Sequence, residues 1–311
     1  MRRKITKKGN HISDFSLEWL REHMNENEEI ANERLLRSPI NDPAEIEIDY
    51  YDVIARLGQK EGTKEYKKLL KQIMIESGAV LVRNRGLDTE EIIRDLLPFG
   101  SDVVSSHFGR IEDLRTDNTT NANNDQLGYT NAAVLAHTDL PFVLKPPTAQ
   151  ALHCITKAES GGESILVDGF QAAMFLKRQD EVSYDLLRKF PVTFHRKQKN
   201  YEASLISPII SMGPNEFSPE KFQVRFSYFT MAPHKLPFSM MEPWYRAYNK
   251  FTSIVRDPKH SLLISLNPGD YILYNNYRMM HGRTAFSGAR WFRGIYFKLD
   301  QVFDYLEERD E

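Results

Sequence analysis

Cysteine occurs once in 311 residues, as Cys154. A single thiol rules out an intrachain disulfide and fits a reducing compartment. Long apolar runs are missing as well. No stretch approaches the roughly 18 apolar residues of a membrane span. The start, Met1-Arg2-Arg3-Lys4, is basic, but no apolar run follows it, so no secretory leader is expected and the location implied is cytoplasmic. Neither sign of charge is in surplus. Lys plus Arg number 41 against 43 Asp plus Glu, a formal charge of −2, which leaves no electrostatic footprint for nucleic acid. Tryptophan is scarce, at Trp19, Trp244 and Trp291. Internal repeats and low-complexity tracts are absent too.

What is there reads as one globular chain. Hydrophobic residues make up 41% and charged residues 27%, within the range of folded domains with a sizeable core. Residues 1–10 are charged and are expected to form a loose arm; residues 11–311 are expected to form a single domain. A short helix over Leu17–Arg21 is expected, capped by Ser13 or Asp14. Glu45–Tyr50 alternates as a strand does. Apolar spacing predicts a helix over Thr63–Glu76 closed by Gly78, then a strand Ala79–Val82 and a helix Thr89–Leu97. Asp88 would cap that helix, with Glu91 reaching back to it. Residues 117–126 are the most polar segment and read as a surface loop, either disordered or a lid that orders over substrate. Beyond them come many short strand-like runs, interrupted by helices near Phe170–Phe190 and Met241–Arg256. That pattern suggests a mainly β fold with flanking helices, a double-sheet jelly roll.

The chemistry centres on Ala136-His137-Thr138-Asp139, the only His-x-Asp in the chain. On extended backbone His137 and Asp139 share a face and can chelate one metal ion. The third ligand expected is His281, far downstream. Two His and one carboxylate form the facial set of non-haem Fe(II) oxygenases, with the remaining positions open for a co-substrate and O₂. In Arg290-Trp291-Phe292-Arg293-Gly294-Ile295-Tyr296, alternation puts Arg290, Phe292, Gly294 and Tyr296 on one face and Arg293 on the other.

These motifs, with Gly161-Gly162-Glu163-Ser164, Val167-Asp168-Gly169-Phe170 and Asn276-x-Arg278-x-x-His281-Gly282-Arg283, resemble the catalytic domain of the gamma-butyrobetaine and trimethyllysine hydroxylases. Those enzymes belong to the wider taurine-dioxygenase-like group. The resemblance covers roughly His11 to Asp300; no counterpart of the small N-terminal domain of gamma-butyrobetaine hydroxylase is expected, and so neither the structural zinc nor the mode of dimer contact linked with it. It implies a double-stranded β-helix and an Fe(II)/2-oxoglutarate-dependent hydroxylase that uses O₂ and releases succinate and CO₂. Asp139 favours hydroxylation or desaturation over halogenation, since a halide can take the carboxylate's place where it is missing. By resemblance Arg290 anchors the far carboxylate of 2-oxoglutarate, a task suited to a planar fork, and Ser164 hydrogen-bonds it. Tyr129 and Tyr296 match two tyrosines of the family's aromatic cage, and Phe108 its aromatic-Gly pair. Glu112 then falls where the cage tryptophan belongs. A carboxylate there suits a protonated amine better than a trimethylated one. The expected substrate is a small amine, betaine or amino-acid-like molecule, with a homo-oligomer left open.

Blander readings apply elsewhere. His153 and Cys154 read as core residues, and Asp168 as a helix cap. A metal-binding jelly roll without catalysis, acting as a sensor or partner-binding module, is the alternative from another class.

Overall fold

Alternating burial builds the larger of the two main sheets. The computed structural model describes residues 2–7, 11–16, 40, 42–116, 122–123, 125–212 and 222–307. Six strands lie side by side in the order Glu47–Asp49, Ala79–Arg83, Tyr271–Asn275, Ala149–Thr156, Trp291–Phe297 and Glu112–Arg115. One face carries Val80, Val82, Ala149, Ala151, Tyr271, Leu273, Ile295 and Phe297, and it packs on Tyr66, Leu70, Met74, Ile92 and Leu96 of two helices. The other face carries Leu81, Leu152, Cys154, Ile272, Tyr274 and Phe292. Period-2 side-chain direction explains how one strand feeds two cores.

The smaller sheet runs Ser261–Ile264, Ser164–Asp168, Met279–Arg283 and Val134–His137. Its Leu166, Leu262, Ile264 and Met279 share a core with the second face of the large sheet. Two sheets face to face with helices outside are the jelly roll expected, mainly β with flanking helices. Among the described residues no helix is long and apolar enough to cross a membrane.

Several elements differ from the sequence reading. The strand expected over Glu45–Tyr50 shortens to Glu47–Asp49: Pro43 opens a 3-10 turn before it, and Asp49 caps a helix Tyr50–Leu57 after it. The helix expected from Thr63 starts at Gln59 and ends at Ser77, with Gly78 in the left-handed region. The Thr89–Leu96 helix has Asp88 as its cap, but Glu91 turns to Arg85, 2.6 Å away, instead of closing a capping box. The helical run after Phe170 is two helices, Gly169–Gln179 and Glu181–Lys189. Asp180 ends the first and caps the second by accepting from the Ser183 amide. Val192–Gln198 pairs with Tyr201–Ser207 in a hairpin whose second strand was not foreseen.

The chain forms two compact units, Met1–Ser38 and Pro39–Glu311. In the first unit, Arg2–Lys7 pairs antiparallel with His11–Ser16, so the expected loose arm at 1–10 contributes one side of a six-pair ladder. The helix expected over Leu17–Arg21 lies outside the described residues, as do residues 117–121 and 124 of the polar segment.

Candidate metal and co-substrate site

The cavity lies between the two sheets, and each sheet supplies a different kind of group. The small sheet brings His137, Ser164, His281 and Arg283; the large sheet brings Glu112, Leu114, Gln150, Leu152, Phe292 and Tyr296, with Arg290 just before its strand.

His137 and His281 are directly opposite in the antiparallel pairing of Val134–His137 with Met279–Arg283, and their rings lie 4.5 Å apart. Cross-strand pairing therefore makes neighbours of two residues far apart in sequence. Gly282 is what lets the strands approach this closely. A Cβ there would lie 3.0 Å from the Ala136 amide nitrogen and closer still to the Val134 carbonyl oxygen. Asp139 is not on the strand, which ends at His137. A turn places it: the Asp139 amide donates to Asn276 Oδ1 at 2.9 Å, and Asn276 Nδ2 donates back to the Asp139 and Pro147 carbonyls. Leu140 beyond it sits at φ 54, a left-handed conformation costly for a branched residue.

Ligand atoms of His137, Asp139 and His281 all lie within 4.8 Å of one another. Asp139 Oδ1 is 3.3 Å from His137 Nε2 and 3.8 Å from His281 Nε2. The Tyr296 hydroxyl donates to the other oxygen, Oδ2, at 2.6 Å. His137 Nδ1 sits 2.9 Å from the Leu135 carbonyl, which fixes the tautomer with the Nε2 lone pair toward Asp139. Burial pushes the His281 pKa down to about 3. Burial also opposes a charge on Asp139, but the two imidazoles and the Tyr296 hydroxyl outweigh it and hold the carboxyl below its usual range. A neutral His281 imidazole beside a carboxylate is what a divalent ion requires of such ligands, and His137 presents its Nε2 to the same point, so the donor set fits Fe(II).

Arg290 lines the same cavity and is buried. Its guanidinium lies over the Phe292 ring at 3.7 Å. Among the described residues its Nε has no hydrogen-bond partner, and no carboxylate pairs with it. Burial, followed by the charge of Arg283, pushes its pKa down to about 9. Gly162, at φ +78, leaves the space: a Cβ there would touch Arg290 Nε at 3.4 Å. Arg293 points to the opposite face and pairs with Asp113 at 3.2 Å, as alternation implies.

The remaining candidates divide. Phe108, Glu112, Ser164 and Tyr296 line the cavity, whereas Tyr129 does not. Tyr129 is buried and donates its hydroxyl to Glu112 Oε1 at 3.0 Å. The Tyr296 hydroxyl, expected as part of a cage wall, is occupied by Asp139. Glu112 points inward because it is paired with Gly294 across the sheet, on the face that carries Phe292 and Tyr296. Sequence reasoning missed Gln126, which donates to Glu112 Oε1, and Arg196 and Phe229 in the lining; nothing local in the sequence marks them. His153 is a core residue held between Thr89 Oγ1 and the Gly86 carbonyl. Asp168 caps the Gly169–Gln179 helix and also pairs with Arg278 at 2.7 Å.

Residues 55–296 match the sequence profile of the family described as "Taurine catabolism dioxygenase TauD, TfdA family". The chain belongs to this family. It is 29% identical over 303 residues to gamma-butyrobetaine dioxygenase of Pseudomonas sp. (strain AK-1), covering 95% of this chain and 75% of that one. It is 27% identical over 306 residues to the mitochondrial trimethyllysine dioxygenase of Gallus gallus, covering 94% and 69%. Among solved structures, an asparagine oxygenase in complex with Fe(II), 2S,3S-3-hydroxyasparagine and succinate superposes with TM-score 0.59 at 14% identity, over 87% of this chain and 89% of that one. The non-heme iron oxygenase OrfP in complex with Fe and alpha-ketoglutaric acid gives TM-score 0.56 at 15% identity, over 86% and 90%. Like other members of the family, the chain is an Fe(II)/2-oxoglutarate-dependent dioxygenase with a jelly-roll fold.

Proposed function

We propose that His137, Asp139 and His281 hold Fe(II), that Arg290 and Ser164 hold 2-oxoglutarate, and that the chain hydroxylates a C–H bond of a small amine, betaine or amino-acid-like substrate. The observation that carries this reading is the buried, unpaired Arg290 in one cavity with a two-His, one-carboxylate donor set. When bound, the iron activates O₂ while 2-oxoglutarate is oxidised to succinate and CO₂. The protein's own residues do the rest. Tyr296 occupies Asp139 Oδ2, which leaves Oδ1, the oxygen near both imidazoles, as the one that would hold the metal. Arg290 offers a rigid fork to the far carboxylate, and such charge-assisted bonds are about twice as strong as neutral ones. The Ser164 hydroxyl donates a further bond to it. Phe108, Glu112 and Tyr296 face the substrate, with Tyr129 and Gln126 behind Glu112 as positioning residues. In this reading residues 39–311 are the catalytic unit, acting in the cytoplasm on a small molecule.

The test is Fe(II)-dependent formation of succinate from 2-oxoglutarate across a panel of amines and amino acids. Arg290→Lys keeps the charge and loses the fork, and is expected to raise the 2-oxoglutarate requirement about tenfold or more, the value of one good charge-assisted bond. Arg293→Lys is expected to leave it unchanged. The reverse outcome overturns the assignment.

A further inference from the structure

Five carboxylate or guanidinium side chains line the cavity: Glu112, Asp139, Arg196, Arg283 and Arg290. Most are already engaged. Arg283 donates to the carbonyls of Leu127, Gly128, Thr130 and Ala132. Arg196 donates to the Asp125 carbonyl at 2.9 Å. Arg290 faces the co-substrate in the reading above, and Asp139 faces the two histidines.

Glu112 is the exception. Both of its hydrogen bonds, from Tyr129 and Gln126, fall on Oε1. Oε2 accepts none from the described residues, and no cation among them pairs with the carboxylate. Burial, and then the like charge of Asp139, push its pKa up to about 8. A buried carboxylate with neutral donors on one oxygen and a like charge nearby is a poor arrangement for the empty protein. It becomes a good one when a cation carrying a hydrogen-bond donor enters the cavity.

We infer that Glu112, held by Tyr129 and Gln126, is the specificity-determining group for the substrate's nitrogen, selecting an ammonium that carries at least one proton over a quaternary one. This rests on the dioxygenase reading above. The rings of Phe108 and Tyr296 in the same lining offer cation–π attraction to either kind of cation. Only an N–H can satisfy the lone pairs of Oε2, and a quaternary nitrogen has none. Tyr129 and Gln126 act by fixing Oε1, so that Oε2 is the oxygen left for the ligand. Similarity to gamma-butyrobetaine and trimethyllysine dioxygenases therefore does not extend to a preference for three methyl groups on nitrogen.

The test uses the full chain loaded with Mn(II) and 2-oxoglutarate, titrated calorimetrically with butylammonium and its N-methyl, N,N-dimethyl and N,N,N-trimethyl derivatives. Affinity should fall about tenfold or more at the step that removes the last N–H. Glu112→Gln, close in shape and uncharged, should erase that step, while Tyr129→Phe should keep it with weaker binding overall. The inference is overturned if the quaternary member binds as well as the others, if the step survives in Glu112→Gln, or if no member binds. The same samples with Fe(II) in place of Mn(II), assayed for succinate, separate the two readings. No succinate with the step intact defeats the dioxygenase reading, and succinate without the step defeats this inference alone.

Discussion

Glu112 illustrates what a single residue does when its surroundings oppose its charge. Its carboxyl moves from 4.5 in the reference state to about 8 through burial and Asp139, against the hydrogen bonds from Tyr129 and Gln126, with Asp113 adding to the rise. Between those two values the folded chain keeps a proton that the unfolded chain has released. Stability therefore falls as pH rises from about 4.5 to about 8, and levels off above that. Glu112→Gln removes the penalty. Its melting temperature relative to the parent chain should climb across that interval and stay level beyond it. Melting curves at half-unit pH steps check this; a flat or shrinking difference would mean that Glu112 ionises as an exposed carboxyl does. Arg290 is the opposite case, a guanidinium whose buried position makes sense only with an anion beside it.

At the scale of elements, the pairing of Val134–His137 with Met279–Arg283 decides the geometry of the two histidines proposed as metal ligands. The register changes between His281 and Arg283, and Gly282 sits at that irregularity with no room for a side chain. Gly282→Ala would press a methyl group against the backbone of Val134 and Ala136, and the strands would have to part. The expected result is a folded protein whose Mn(II) affinity falls at least tenfold, about 1.4 kcal/mol, because His281 moves away from His137. Calorimetric titration with Mn(II) reads this directly, and unchanged affinity would show that the strands yield without moving the rings. Helix ends also serve the site. Asp168 caps the Gly169–Gln179 helix with Oδ1 and binds Arg278 with Oδ2, tying that helix to the turn before His281.

For the whole molecule, the site depends on two sheets being held face to face. The two histidines proposed as metal ligands come from one sheet, Asp139 from the turn after it, and the proposed co-substrate arginine from just before an inner strand of the other, so an ion that binds the folded chain alone should stabilise all of it. At a hundredfold excess over the dissociation constant the gain is about 2.7 kcal/mol, a rise of several degrees in melting temperature for a protein of this size. Mn(II) should produce it, EDTA should reverse it, and His281→Ala should abolish it. An equal rise in His281→Ala would place the binding elsewhere.

The sequence by itself determined the parts whose signal is local. His137-x-Asp139 is a short-range spacing, and the phase of Arg290 against Arg293 follows from strand alternation, which any extended segment obeys. The unbroken apolar run Ala79-Val80-Leu81-Val82 made a buried strand legible, and Asp88 before an apolar run marked a helix start. Only the tertiary structure decided what depends on strands meeting across long gaps. The partner of His137 is set by a cross-strand register, and the inward turn of Glu112 by its pairing with Gly294. Tyr129 and Tyr296 both looked like walls of a cage. Their hydroxyls go instead to Glu112 and Asp139, because a buried phenol must find an acceptor and the nearest carboxylates are brought there by another strand and by a turn. Gln126 and Arg196 carry no mark in the chain, since a polar side chain becomes part of a site only when the fold closes over it.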